Sequence, residues 1–283
     1  MNSNNHARSV LITGASTGIG EACAHYFAQR GWRVFAGVRQ RADARRLESD
    51  SITPVFLDVT KAQHIEKAIT QITDAVGEAG LHGLVNNAGV AVAGPFEFLE
   101  IDELRRQMEV NFIAQVAVTQ AALPLLRRGP GRIANMSSVS GRIAAPMFGP
   151  YAASKFALEA FTDSLRRELM PWDIHVASIE PGAIKTEIWK KGEEYAQERL
   201  DALPPKAETY YGKLLGKIVR YTQRADARGL HPDVVAEATF HALSAARPKT
   251  RYVVGRGTWL TVLATRLLPD RWLDRLATRR LYR

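Results

Sequence analysis

Short apolar runs alternate along this chain with longer segments whose apolar residues recur at helical spacing. Val10-Leu11-Ile12-Thr13 is a β-type run closed by Gly14, and Ile19 to Arg30 reads as a helix that Gly31 stops. Further runs predict strands at Val34–Val38, Val55–Leu57, Leu84–Asn86, Ile133–Met136, Val176–Ile179 and Tyr252–Val254. Helices are predicted over Ala62–Val76, about Asp102–Leu126 and Tyr151–Met170, the last ending before Pro171. Strands alternating with helices of this length are βαβ units. Their crossovers force a parallel sheet with helices on both faces. The expected class is therefore α/β, a doubly wound Rossmann fold. A single domain of seven parallel strands would span residues 1–256, with a helical substrate lid inserted at about 187–230 and an extension at 257–283. Ligands in such sheets bind beyond the carboxyl ends of the strands, so the chemistry is sought just after each run.

Composition narrows the class. Hydrophobic residues make up 46% and charged residues 24%, as in ordinary globular chains. The one cysteine, Cys23, excludes an internal disulfide and a cysteine-rich zinc site, and suggests a reducing, cytoplasmic compartment. The seven histidines show no metal-ligand spacing, so no metal is expected. The start is polar and lacks the apolar stretch of a signal peptide, and no run of 18 or more apolar residues predicts a membrane span. The net charge of +9 is unevenly placed. Arg247 to Arg283 carries ten Arg/Lys against two Asp, while the rest is nearly balanced. A balanced body with a basic tail does not suit nucleic-acid binding.

The first turn carries the first chemistry. Thr13-Gly14-Ala15-Ser16-Thr17-Gly18-Ile19-Gly20 joins the first strand to the first helix. Gly14 permits a tight turn, and Gly18 and Gly20 let backbone approach a ligand closely. The helix N-terminus then offers free N–H groups to a pyrophosphate. A plain strand-to-helix turn would also use glycine, but this position at the head of a βαβ array favours dinucleotide binding. No acid stands at the end of the second strand to hold ribose hydroxyls. Arg39 stands there instead, and could pair with a 2′-phosphate, which favours NADP over NAD. Otherwise Arg39 merely starts a solvated helix. Asp58, after the third strand, could reach the adenine amino group or cap the next helix.

Tyr151 and Lys155 are four apart and share a helix face. A nearby ammonium stabilises phenolate, so the pair could serve as general acid and base at an alcohol or carbonyl oxygen. Ser138, at the end of the fifth strand, could hold and polarise that oxygen.

From about Val10 to Thr186, over 60% of its length, the chain resembles the short-chain dehydrogenase/reductase family. The resemblance rests on TGASTGIG (13–20), Asp58-Val59, NNAG (86–89), Asn111, Ser138, Y-x-x-x-K (151–155) and Pro181-Gly182 with Thr186, all in order. It implies a sheet order of 3-2-1-4-5-6-7 and hydride transfer with a nicotinamide cofactor. Tyr151 would be the acid/base, Lys155 would lower its pKa and bind the nicotinamide ribose, and Ser138 would orient the reacting oxygen. Asn111 would hold a water linking Lys155 to solvent. Gly14, Ser16, Thr17, Gly18, Ile19, Gly20, Arg39, Asp58 and Val59 would line the cofactor groove. So would Asn87, Ala88 and Gly89, with Pro181, Gly182, Ile184 and Thr186 passing the nicotinamide.

The stretches Val118–Arg127 and Ser154–Phe161 resemble the retinol and 17β-hydroxysteroid dehydrogenase branch, which implies a small, bulky, apolar alcohol or ketone. Met147 and Phe148 are expected as pocket walls. Ile188, Trp189, Tyr195, Tyr210, Tyr211, Leu214, Leu215 and Ile218 would be apolar teeth of a lid, or else pack it onto the body or a second subunit. Family analogy implies a homodimer or homotetramer. In the tail, Trp259, Leu260, Leu263, Leu267, Leu268, Trp272, Leu273 and Leu276 recur at helical spacing. Arg271, Arg275, Arg279 and Arg283 recur every four residues. That pattern fits a helix lying on a membrane surface, or one docked on the body. An alternative function is a catalytically minor dinucleotide-binding protein that acts through this tail.

Overall fold

The computed structural model describes residues 7–186 and 204–282. Ile188, Trp189 and Tyr195 of the expected lid, with the side chain of Ile218, lie outside the described residues. The seven strands are β1 (Ser9–Ile12), β2 (Arg33–Val38), β3 (Ile52–Phe56), β4 (Gly83–Asn86), β5 (Arg132–Met136), β6 (His175–Pro181) and β7 (Arg251–Val254). They form one parallel sheet in the order β3-β2-β1-β4-β5-β6-β7, as the resemblance implied. Every residue of β1 and β4 is buried, which is why these central strands read as continuous apolar runs rather than alternating ones.

Helices cover both faces. On one lie α1 (Gly18–Ala28) and a helix at Asp233–Ser244, whose Val235, Ala236, Ala242 and Leu243 join Cys23, Ala24 and Phe27 in a single cluster. Phe27 stacks edge-on against Trp32 and Phe240, at centroid distances of 5.2 and 5.1 Å. On the other face lie α3 (Ala62–Val76), α5 (Ala114–Leu126) and α6 (Gly149–Glu168), packed through Ile65, Ile72, Val118, Leu126 and Leu165. The short α2 (Arg41–Leu47) follows β2, and α4 (Ile101–Met108) runs into α5 through a π turn at Glu109–Ile113. The sequence pattern offers α2 only as the solvated helix that Arg39 could start, and does not predict the Asp233–Ser244 helix. By length and composition the stretch Ile101–Leu126 could cross a membrane, but its Ala114, Val118, Ala122 and Leu126 are core residues.

Numbering continues with α7 (Pro205–Arg228), α8 for Asp233–Ser244, α9 (Thr258–Leu267) and α10 (Asp270–Tyr282). In α9 only Thr258 and Val262 are buried. Trp259, Leu260, Leu263 and Leu267 are exposed, as is Trp272 in α10. The strand order reverses between β1 and β4, so the carboxyl ends of these two strands frame a crevice.

Candidate active site

The glycine-rich turn sits at that crevice. Gly14 and Gly18 have φ of +63° and +62°, a region that costs a non-glycine residue strain. A Cβ on Gly14 would lie 2.8 Å from Cα of Ala88, and one on Gly20 would lie 2.3 Å from the carbonyl oxygen of Gly14. Gly18 faces Thr186, whose Cβ would be 3.3 Å away. Three distant segments, the turn, the Asn87–Gly89 loop and the stretch ending at Thr186, thus converge. Thr17 begins α1 in extended conformation without a side-chain cap, which leaves the first amides facing the crevice for an anion. Glycine lets the turn fold this tightly, since a Cβ at Gly14 or Gly20 would strike the chain's own backbone, and the free amides that follow suit a pyrophosphate.

Thr13 locks this arrangement. Its hydroxyl accepts bonds from the amides of Asn87 (2.9 Å) and Ala88 (3.0 Å). In return Asn87 Nδ2 donates to the carbonyls of Thr13 (2.9 Å) and Gly14 (3.0 Å), so its side chain buttresses the turn from behind. Arg39 is exposed just beyond β2, and Asp58 follows β3. Burial would raise the Asp58 carboxyl, but bonds from the Thr60 hydroxyl (2.8 Å) and amide (3.1 Å), with the charges of Arg39 and His64, hold it below its usual range. Asp58 does not cap α3. That position belongs to Lys61, and Asp58 instead closes a local turn onto Thr60. Val59 is buried beside it. Arg46 of α2, unsuspected from sequence, bonds the carbonyl of Ser16 and the carboxylate of Glu21 at the rim of the turn.

Across the crevice α6 carries Tyr151 and Lys155. Lys155 is buried, its Nζ donating to the carbonyl of Met136 at 2.7 Å and lying 5.6 Å from the Tyr151 ring centroid. Ser138 leads a 3-10 turn at Val139–Gly141. Its hydroxyl accepts from the Ser140 amide (3.1 Å) and donates to the carbonyl of Pro181 (3.4 Å). Burial pushes the Tyr151 phenol above its ordinary value, and a hydrogen bond with Ser138 pulls it part of the way back. Burial likewise pushes Lys155 down to about 8, against the pull of the Glu159 carboxylate. Desolvation is thus the larger of the two influences on the phenol.

Asn111 lies in the π turn, completely buried. Its Oδ1 accepts from the Val90 amide (2.8 Å), and its Nδ2 donates to the Val90 carbonyl (3.0 Å) and the Ser154 hydroxyl (3.2 Å). It therefore ties the loop after β4 to α6 beside Lys155. Gln107, missed from sequence, repeats the tie with bonds to the Val92 amide (2.7 Å) and the Val90 carbonyl (3.0 Å). Asn86 and Asn135, side by side on β4 and β5, join through Nδ2 of Asn86 (2.9 Å) and extend to Thr119 and Thr162. Two asparagines inside apolar strand runs were the signal for that network. Beyond β6, Gly182 donates to Val254 (2.8 Å). Ile184 is buried, its segment paired with Leu230.

On the open side Met147 and Phe148 pack with Leu214 of α7, flanked by Tyr211 and Leu215. The Tyr211 hydroxyl donates to Glu97 at 2.9 Å. Met147 is a non-glycine residue with φ of +70°, four positions before Tyr151. The arrangement can present a hydroxyl and a phenol to a substrate oxygen and hold a dinucleotide beside both.

The short chain dehydrogenase family matches residues 8–197. The chain is 39% identical over 277 residues to an NADPH-dependent 3-dehydrocapnine reductase of Ornithobacterium rhinotracheale, covering 95% of each. It is 39% identical over 280 residues to human retinol dehydrogenase 5, covering 95% of this chain and 87% of that one. A short-chain dehydrogenase from Streptomyces avermitilis superposes with a TM-score of 0.78 at 24% identity, covering 99% of this chain and 98% of that one. Relatives of such different names favour no single branch.

Proposed function

The chain belongs to the short-chain dehydrogenase family and is an NAD(P)-dependent oxidoreductase of alcohol and carbonyl groups; within that activity we propose that it works with NADP(H) on a bulky apolar ketone or alcohol, steroid-, retinoid- or lipid-like. The observation that carries the reading is the apolar cluster of Met147, Phe148 and Leu214, which leads into the helix that carries Tyr151. The bound dinucleotide supplies or takes the hydride. Every other task falls to the chain. Ser138 turns its one hydroxyl proton from the Pro181 carbonyl to the substrate oxygen, and Tyr151 gives up its phenolic proton to that oxygen as charge develops on it. The raised phenol pKa keeps the proton on Tyr151 until then. Lys155 presents a cation beside the ring and would hold the nicotinamide ribose, and Asn111 fixes the loop after β4 to the helix that carries both residues.

Arg39, with no competing acid at the end of β2, supports NADP over NAD. The name of the 3-dehydrocapnine reductase, which includes NADPH, supports the same preference. The retinol in the name of the other relative speaks for an apolar substrate. Exposed Ile113 and Phe156, on the π turn and on α6, support self-association through these helices as a dimer or tetramer. The exposed Trp259, Leu260, Leu263, Leu267 and Trp272, beside the arginines of α10, support a peripheral contact with an anionic membrane from the cytoplasmic side.

The test is a panel of apolar ketones and alcohols with NADPH and NADH, on the wild type and Tyr151→Phe. The wild type is expected to turn over a bulky ketone with NADPH. The variant is expected to lose about 10²–10⁴-fold in kcat with its dinucleotide affinity kept. A variant with normal kcat removes Tyr151 from the chemistry. A wild type inert to the whole panel that still binds NADPH favours the alternative of a dinucleotide-binding protein.

A further inference from the structure

Beneath the site lies a charged cluster that none of the steps above uses. Glu180 is completely buried, one residue before Pro181, and Glu159 is buried one helical turn after Lys155. Arg142 lies between them. Its Nη2 is 2.8 Å from Glu180 Oε1 and 3.2 Å from Glu159 Oε2, and its Nε is 3.3 Å from Glu180 Oε1. Arg251 of β7 backs both carboxylates at 3.3 and 3.2 Å and adds Asp163 at 2.7 Å. Ser178 holds the other oxygen of Glu159.

The connections matter more than the charges. Arg142 ends the turn that Ser138 begins: the Gly141 amide bonds the Ser138 carbonyl (2.8 Å), and the Arg142 amide bonds the Val139 carbonyl (2.9 Å). A Cβ on Gly141 would lie 3.0 Å from Glu159 Cγ, so the turn rests directly on α6. One guanidinium therefore joins the Ser138 turn, the Lys155 helix and the strand end that bears Pro181. The Ser138 hydroxyl in turn bonds the Pro181 carbonyl.

We propose that Arg142 is a positioning residue of the reaction, a clamp that fixes Ser138 and the Pro181–Gly182 turn relative to Tyr151 and Lys155. The planar fork of an arginine can satisfy two carboxylates on different elements at once, which a lysine point charge does less well. A misplacement of about 1 Å in a reacting geometry costs on the order of 10²-fold in rate, so such a clamp has catalytic weight without touching substrate. The rate consequence rests on the reductase reading; the geometric one does not.

The test separates positioning from stability. Arg142→Met leaves buried Glu180 with only the longer contact from Arg251 (3.3 Å) against its charge, and lowers Tm. Adding Glu180→Gln removes that poorly compensated charge, and the double variant is expected to recover its Tm. Two measurements are then made on the full chain. Hydrogen exchange is expected to show lost protection across residues 138–142 in the double variant, with α3 unchanged. Its kcat is expected to stay about 10–100-fold down with KM for the ketone held. Unchanged exchange across 138–142, or kcat that recovers together with Tm, overturns the proposal. If the wild type reduces no ketone, the reductase reading fails, and the exchange measurement alone decides the clamp.

Discussion

Replacing Lys155 by Met isolates the electrostatic cost of the buried ammonium. Lys155 is only 3% exposed, and burial lowers its pKa from 10.5 to about 8. The folded chain thus holds this proton more weakly than the unfolded one. Between pH 8 and 10.5 the unfolded state binds more protons here, so stability rises with pH across that window. Below pH 8 the cost is fully present, and above 10.5 it has gone. At 1.36 kcal/mol per pKa unit the whole swing is about 3 kcal/mol. Met fills the same space without a charge, so its loss of the bond to Met136 enters as a constant offset. The assay is urea unfolding of wild type and Lys155→Met, without added dinucleotide, in steps from about pH 7 to 11. The stability of wild type minus that of variant should be flat at the acid end and climb by about 3 kcal/mol through the window. A difference that stays flat throughout would mean that Lys155 titrates normally and that burial does not govern it. At neutral pH the group is still protonated, so Tyr151 faces a cation even though desolvation holds its phenol high.

Other consequences are as direct. Arg39→Asp should lower the ratio of kcat/KM for NADPH over NADH by about 10–100-fold, because a charge-assisted bond to phosphate contributes about 1.5–3 kcal/mol. An unchanged ratio would transfer the role to Arg41 or Arg46. Gly20→Ala should weaken NADPH binding by more than about tenfold and cost about 1–3 kcal/mol of stability, since its Cβ would stand 2.3 Å from the Gly14 carbonyl oxygen. Fluorescence titration and urea melts check both, and wild-type values would contradict the turn geometry. Deleting the residues after Pro269 should abolish salt-sensitive sedimentation with anionic vesicles while leaving Tm nearly unchanged. A full-length chain that never sediments, or a truncation that unfolds the body, would make α10 a purely structural helix.

Much of this protein was legible before any coordinates. Gly14 and Gly18 are forced by positive φ within a single turn, and Tyr151 and Lys155 by one helical repeat. The apolar runs of β1 and β4 announce strands buried on both faces. These are local consequences of backbone sterics and side-chain spacing, so sequence alone determines them. Where local signals were weak, the reading failed. Only Leu47 is buried in α2, and α8 packs on α1 partly through Ala236, Thr239 and Ala242, small residues that leave little hydrophobic contrast. The tail's amphipathic spacing was visible, but which face would be covered was not. Packing chose Thr258 and Val262 and left the tryptophan and leucines outside. The tertiary structure alone decided the rest. It buried Lys155 deeply enough for desolvation to outweigh the pull of the Glu159 carboxylate, and it set Tyr151 where desolvation raises its phenol. It also brought Arg142, Glu159, Glu180 and Arg251 together, because β6 lies between β5 and β7 while α6 crosses behind them. Charge and dielectric act through space, and residues 38 or 92 positions apart become neighbours only after the sheet has assembled.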